Sequence, residues 1–191
     1  FVRPSSEGVV VVRRRDLITA WLEACRLSPP KRVEVRWALG KPSRDLRAVF
    51  AGKPAAGGIF SRHVFSMDIF GERQPGDEED ESVRVALAGF EACRSLRVLH
   101  TEPTRPELYV SGDMREACER FDLEPCDERD AHFTLLSTKG ASVFRGALEI
   151  EDNFYCADIL QAALDVSLHP ARGREQAEHI IGDVLGWEIE R

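Results

Sequence analysis

The sequence predicts a mixed α/β chain of the α+β class, with a central mixed sheet flanked by helices and a packed helical hairpin at its C-terminal end. Short apolar runs with strand spacing alternate with helical patterns, but without the regular period of strand–helix–strand units. The last two apolar segments have helical spacing, and Pro170 and Gly173 separate them as a helix stop and a turn residue. Together these observations predict the fold class.

The composition is typical of a globular protein without a membrane-spanning segment. The chain has 191 residues, of which 43% are hydrophobic and 31% are charged. Its longest apolar run, Val9 to Val12, is too short to cross a bilayer and no export signal is evident, so a cytoplasmic location is expected. The net charge of −7 disfavours general binding to phosphate backbones.

The sequence carries none of the usual catalytic or cofactor motifs. Its five cysteines never form a C-x-x-C pair, and its five histidines lack metal-ligand spacing. Phosphate loops, dinucleotide fingerprints, serine-hydrolase elbows and zinc-protease motifs are absent as well. A non-enzymatic protein without metal or cofactor is therefore expected.

Residues 1–13 are expected to hold a short strand, and residues 14–191 are expected to form one α/β domain. Polar, acidic residues 71–80 make a surface loop and a possible sub-boundary. The predicted elements before that loop are a strand at Val9–Val12, a helix from Asp16 that ends at Ser28-Pro29-Pro30, a strand at Arg32–Ala38, a short helix after Pro42-Ser43 and a β-like run from Phe60 to Phe70.

The second half begins with a predicted helix over Glu81–Leu96, because Val83, Leu87 and Phe90 lie near one helical face. The elements expected after it are strands at Val98-Leu99 and Leu108–Val110, a helix capped by Ser111 or Asp113 and running to Phe121, strands at His132–Leu136 and Val143–Ile150, a tight turn at Glu151-Asp152-Asn153 and a short returning strand.

The C-terminal hairpin is the most distinctive segment. The helix from Cys156 to Leu168 is apolar on most sides and must be largely buried. Its exceptions, Asp158, Gln161 and Asp165, form a narrow polar stripe that needs partners, since a buried unpaired carboxylate costs several kcal/mol. Arg172 is close enough in sequence to pair with Asp165, and this pair is the hypothesis. The following helix places Ala177, Ile180, Ile181, Val184 and Leu185 on one side.

Two carboxylates on one strand offer an alternative. Alternation would aim Glu149 and Glu151 at one face, where they and Asp68 could hold Mg²⁺ as in nucleases with an E-x-K strand. Glu151 stands where such a nuclease carries lysine, so the group that orients the attacking water is missing. A solvated strand face is the competing interpretation. A third possibility is a protein-interaction module that uses the acidic loop from Gly71 to Glu81.

The order A-D-I-L-Q-A-A-L-D-V, a short break and P-A-R-G-R-E-Q-A-E resembles the closing segment of AbiEi-type abortive-infection antitoxins from type IV toxin–antitoxin systems. The strand Glu107–Val110, a helix and Phe133–Leu136 fit the same family's strand–helix–strand section, and Asp16–Trp21 is similar to the helix after its DNA-binding domain. The matching positions of the closing segment include Gln161, Leu164, Asp165, Arg172, Gly173, Glu175, Ala177 and Glu178, and they are interpreted as mainly structural.

The resemblance implies an antitoxin that represses its own operon and takes part in phage defence. In this family an N-terminal winged helix binds operator DNA, and the antitoxin counters a nucleotidyltransferase-like toxin without a stable complex. Residues 1–13 would then be a linker or the end of a missing winged-helix domain. The basic cluster beside it is the candidate DNA contact and comprises Arg3, Arg13, Arg14 and Arg15. A charged helix start is the competing interpretation of this cluster.

Overall fold

The computed structural model describes residues 2–5, 8–11, 13–38, 46, 50, 83–101, 105–138, 142–151, 154–170 and 172–187. Elements are numbered over these residues. The strands are β1 (Val2–Ser5), β2 (Gly8–Val11), β3 (Arg32–Trp37), β4 (Val85–Ala88), β5 (Glu107–Val110), β6 (Leu123–Pro125), β7 (Phe133–Ser137), β8 (Leu148–Glu151) and β9 (Phe154–Cys156). The helices are α1 (Arg14–Leu27), α2 (Gly89–Ser95), α3 (Met114–Arg120), α4 (Ser142–Arg145), α5 (Ile159–Ser167) and α6 (Gly173–Glu178), the last continued by a π-helical turn, His179–Val184.

A seven-stranded mixed sheet lies at the centre, with the strand order β6-β3-β7-β5-β4-β9-β8. The β4–β9 and β5–β7 pairs are parallel, and the other four pairs are antiparallel. Strands β1 and β2 form a separate antiparallel hairpin in which Val2 lies opposite Val11. The α+β class and the packed helical hairpin are thereby confirmed, the hairpin being formed by α5 and α6.

The predicted helix over Glu81–Leu96 is wrong in its first part. Strand β4 occupies Val85–Ala88, and only Gly89–Ser95 are helical. All four residues of β4 are buried, and the strand pairs on both sides, with β5 and β9. A strand that is apolar throughout has no alternation to reveal it, so its apolar residues also fitted one helical face.

Other boundaries also differ from the predictions. Val143–Ile150 is not one strand, because α4 takes its first residues and β8 begins at Leu148. Val98 and Leu99 lie outside the strands, and the Val98 amide instead donates to the Cys93 carbonyl at the end of α2. Strand β6 was not predicted. It is three residues long and pairs with the far end of β3, where Trp37 lies opposite Leu123.

The predicted cap Asp113 is confirmed, whereas the helix predicted from Cys156 begins only at Ile159, because Cys156 ends β9. Asp113 accepts hydrogen bonds from the amides of Arg115 and Glu116 at the start of α3. Asp158 does the same for Leu160 and Gln161 at the start of α5. A side-chain oxygen at this position satisfies amides that have no partner within the helix. One member of the predicted polar stripe, Asp158, is therefore a cap.

Aromatic side chains build the core beneath the β3 side of the sheet. Phe50 is buried and its ring packs against Phe121, Phe133 and Phe154, with centroids 4.8–6.1 Å away. Leu46 and Phe50 have helical backbone, but the rest of the helix predicted after Pro42, the run to Phe70 and residues 71–80 lie outside the described residues. Among the helices that are described, none has the length and apolar character required to cross a bilayer.

Candidate functional site

The C-terminal hairpin is held by a close approach of α5 to the start of α6. A Cβ atom on Gly173 would lie 1.8 Å from the Val166 carbonyl oxygen and 2.8 Å from the Cβ of His169. Real atoms cannot approach that closely, so only glycine fits where the chain enters α6. The glycine of the family-like motif therefore has a packing role.

Asp165 of α5 is the centre of a polar network at the base of this hairpin. The Tyr109 hydroxyl donates to its Oδ1 at 2.5 Å, and Gln161 Nε2 donates to the same oxygen at 2.7 Å and to the Tyr109 hydroxyl at 3.1 Å. The Gly89 amide donates to Oδ2 at 3.3 Å. The network therefore joins α5 to strand β5 and to the first residue of α2.

The hypothesis that Asp165 pairs with Arg172 is wrong. The three groups that bond the carboxylate come from β5, α2 and α5 itself, whereas Arg172 is exposed and precedes α6. Sequence proximity misled here, because the hairpin turn carries Arg172 away from the packed face of α5. Glu175 is also exposed and lies 3.6 Å from His100 Nε2.

Asp165 sits beside a second carboxylate. Glu107 begins β5, and a Cβ atom on Gly89 would lie 2.6 Å from Glu107 Oε2, while the φ of Gly89 is +50°. The positive φ favours glycine at this point, and an added Cβ atom would also displace the Glu107 carboxylate. Arg32 of β3 neutralises Glu107 through a contact of 2.5 Å between Nη2 and Oε1. The two carboxylates thus differ, because one has a cation and the other has neutral donors.

This difference appears in the protonation of Asp165. Burial raises the pKa of Asp165 from 3.8 to about 7, and the charge of Glu107 adds to the rise. The hydrogen bonds from Tyr109, Gln161 and Gly89 act in the opposite direction, since they favour the ionised form. Desolvation dominates, so the carboxylate is partly protonated near neutral pH.

A cleft of about 470 Å³ opens beside the two carboxylates. His169 lines it, packs its ring edge-on against Phe90 and, within the described part of the chain, has no hydrogen-bond partner for its buried Nδ1. The remaining lining residues come from α1 and the chain after it, the first residues of β3 and β5, strand β7 and the chain before it, and α5 and the chain after it. They are Arg26, Pro29, Pro30, Arg32, Glu107, Glu128, Leu136, Asp165, Leu168 and Pro170.

A buried amide holds the other end of the hairpin. Gln176 of α6 is completely buried, and its Oε1 accepts from the amides of His100 and Thr101 at 2.7 and 3.3 Å. Its Nε2 donates to the Val98 carbonyl at 2.8 Å. Gln176 therefore ties α6 to the segment after α2, and the Val98 carbonyl accepts from this side chain and not from a neighbouring strand.

The basic cluster is only partly open. Arg3 lies on β1 and is exposed, Arg13 pairs with Asp16, and the Arg14 guanidinium lies 5.7 Å from the centroid of the Trp187 ring. The side chain of Arg15 lies outside the described atoms. The structure thus leaves Arg3 and Arg14 as the better candidates for a phosphate contact, although both are distant in the chain from the Asp165 network.

The carboxylates of the nuclease alternative do not keep the expected alternation. Glu149 and Glu151 are exposed, and a register shift between them pairs Glu149 with Tyr155 but Glu151 with Phe154. Adjacent residues of β9 face opposite sides of the sheet, so the bulge breaks the regular face that the hypothesis required. Asp68, the third proposed ligand, lies outside the described residues.

Several members of the site were missed by sequence reasoning. Gln161 and Asp165 were singled out, but Gly89, Glu107 and Gln176 were not recognised as partners or anchors. Tyr109 stood in a quoted strand without a role. Comparisons of the chain with protein-family models, with curated proteins and with solved structures found no match.

Proposed function

We propose that this chain is a non-enzymatic antitoxin and transcriptional autoregulator domain of the AbiEi type. One observation carries the proposal: the two segments that resemble the family, around Tyr109 and around Gln161–Asp165, are far apart in sequence but bond directly to each other. A resemblance made of unrelated short matches would not require its residues to meet in one network.

The roles of the motif residues also support regulation without chemistry. Gln161 and Asp165 join elements of the fold, and Gly173 permits the close contact of α5 with α6. Side chains that are used for hydrogen bonds and packing within the domain stabilise its fold, so the domain would act through its surface. In the proposed role, that surface positions DNA-binding elements and counters a nucleotidyltransferase-like toxin without a stable complex.

Toxin rescue tests this function directly. The full coding sequence is co-expressed with the adjacent gene, and growth is measured. We expect the adjacent gene alone to arrest growth and the pair to restore it. A Gly173→Ala variant should fail to restore growth because its hairpin cannot close, whereas Gly182→Ala, where an added Cβ meets nothing within 4 Å, should succeed. An innocuous neighbour, or arrest that persists with the unmodified protein, would reject the antitoxin role.

DNA binding is proposed to involve the basic cluster at the start of the chain. Mobility-shift titrations with the operon's promoter fragment should show weaker binding for the double variant Arg3→Ala and Arg14→Ala, with a reduced dependence on salt concentration. Arg115→Ala removes an exposed arginine from α3 and serves as the matched control. Equal binding by the two variants would remove Arg3 and Arg14 from the DNA contact.

One assay distinguishes the nuclease alternative from the non-enzymatic proposal. Incubation of the purified protein with DNA or RNA and either Mg²⁺ or Mn²⁺ should leave the nucleic acid intact. Cleavage that is lost in Glu149→Ala would instead establish the enzyme and overturn the non-enzymatic proposal.

A further inference from the structure

Asp165 is a desolvated carboxylate to which the described part of the protein supplies no cation. Its hydrogen-bond donors are a hydroxyl, an amide side chain and a backbone amide, all neutral. An ion pair is the usual compensation for a charge removed from water. Two of the donors share Oδ1, so Oδ2 keeps an acceptor position beyond its single bond to the Gly89 amide.

The cleft beside Asp165 has the size and lining of a small-ligand site. Its volume of about 470 Å³ lies within the range of about 300–1,000 Å³ that such sites span. Leu136 and Leu168 provide apolar walls, and Glu107 brings a second carboxylate close to Asp165. Arg26, on the last turn of α1, is exposed and lines the same cleft.

We propose that this cleft binds a small molecule whose primary ammonium group lies against Asp165 and Glu107 and whose aliphatic chain packs on Leu136 and Leu168. A carboxylate at the other end of the ligand pairs with Arg26. The ligand class is therefore an amino acid with its amine and carboxylate at opposite ends of a short chain. This inference does not rest on the antitoxin role.

Each part of the ligand answers a feature of the cleft. An ammonium group supplies the missing cation and up to three hydrogen-bond donors, which suits two neighbouring carboxylates that accept bonds. Arg32 is already bonded to Glu107 and therefore offers less attraction for an added anion than Arg26 does. The apolar walls favour methylene groups over a polar linker.

Binding is coupled to the ionisation of Asp165. The ammonium group is attracted to the ionised carboxylate, so ligand that binds to the protonated form must displace the proton to the buffer. The titratable and charged groups around Asp165 are Cys25 and Arg26 of α1, Arg32 of β3, Cys93 of α2, Glu107 and Tyr109 of β5, Glu128 before β7, and His169 after α5. Among these, Glu107 and Asp165 are the carboxylates that would contact the ammonium group.

Isothermal titration calorimetry tests the proposal with three probes that share a chain of similar length: 1-hexanol, hexylamine and 6-aminohexanoate. We expect hexylamine to bind about tenfold or more tightly than 1-hexanol, as a charge-assisted contact requires. 6-Aminohexanoate should bind more tightly still. Titrations at pH 7 in two buffers of different ionisation enthalpy should show proton release on binding of either amine.

Variants assign the two ends of the ligand. Arg26→Ala should reduce the affinity for 6-aminohexanoate to that for hexylamine, whereas Arg36→Ala, an exposed arginine of β3 outside the cleft, should change neither. Asp165→Asn should reduce the preference for amines over 1-hexanol, because Glu107 is then the single carboxylate left beside the ammonium group. Equal affinity of hexylamine and 1-hexanol for the unmodified protein overturns the proposal without any variant.

Discussion

Two polar side chains attach the helical hairpin to the rest of the fold through different kinds of hydrogen bond. Gln176 is a neutral amide, completely buried, and its hydrogen bonds are made to backbone groups of Val98, His100 and Thr101. Asp165 is an ionisable group, half-buried at a cleft, and it bonds to a tyrosine, a glutamine and a glycine amide. Both tie the hairpin to distant parts of the chain.

The two anchors therefore respond differently to pH and to nearby cations. A buried amide satisfied by backbone partners contributes the same stability at every pH. A buried carboxylate without a cation costs stability when it ionises, and this cost depends on pH and on any cation that approaches it. Gln176 is therefore a fixed anchor, whereas Asp165 is one whose contribution varies.

The largest effect is expected from removing the geometry that both anchors share. Gly173→Ala places a methyl group against the Val166 carbonyl, so the hairpin must open or shift. We expect a loss of about 3 kcal/mol or more in the free energy of unfolding, measured by urea denaturation. Gly182→Ala is the control and should change the free energy by about 1 kcal/mol or less. Similar losses in both variants would refute the close-contact role of Gly173.

Removal of the fixed anchor is expected to have the next largest effect. Gln176→Leu keeps the volume but leaves the buried amides of His100 and Thr101 and the Val98 carbonyl without their side-chain partner. The free energy of unfolding should fall by about 2–4 kcal/mol, because unsatisfied buried groups are costly. The loss should be the same at pH 5 and pH 8. A loss that changes with pH would contradict the contrast with Asp165.

The contribution of Asp165 should appear in the pH dependence of the free energy of unfolding. The native pKa of Asp165, about 7, lies above its unfolded value of 3.8, so the native state holds more protons between these values. Stability contributed by the neutral form is present below pH 4 and is lost as the pH rises toward 7, by at most about 1.4 kcal/mol per pH unit. Above pH 7 this contribution stays constant.

Asp165→Asn removes that titration while keeping a similar shape. The free energy of unfolding of the variant, relative to the unmodified protein, should therefore rise between pH 4 and pH 7. Urea denaturation at one-unit intervals measures the difference. Two parallel curves would show that Asp165 titrates normally and would remove the contrast between the anchors.

The smallest effect is expected at Tyr109. Tyr109→Phe removes one donor to Asp165 and one acceptor for Gln161, which should cost about 1 kcal/mol. Because the lost hydrogen bond favours the ionised carboxylate, the pKa of Asp165 should rise further. Carboxyl-carbon NMR titration detects this shift. An unchanged or lower pKa would mean that Tyr109 does not stabilise the charged form.

Elements whose structure depends on local sequence were predicted correctly, whereas those that depend on distant parts of the chain were not. The strand Arg32–Trp37 was predicted because a half-buried strand alternates, and α3 because Asp113 caps it. Strand β4 was missed because its environment is set by neighbours that lie elsewhere in the chain. The partner of Asp165 was mistaken for the same reason: Tyr109 and Gly89 become close only after the sheet has formed.

The strand order has a consequence for how the chain folds. Strand β4 pairs with β5 on one side and with β9 on the other, and β3 pairs with β6 and β7, which follow β4 and β5 in the chain. Contacts between such distant segments require large loops to close first, so folding should be slow compared with that of a helical bundle. On the ribosome, β4 would have to wait for Phe154–Cys156 to emerge before it gained its second neighbour, β9.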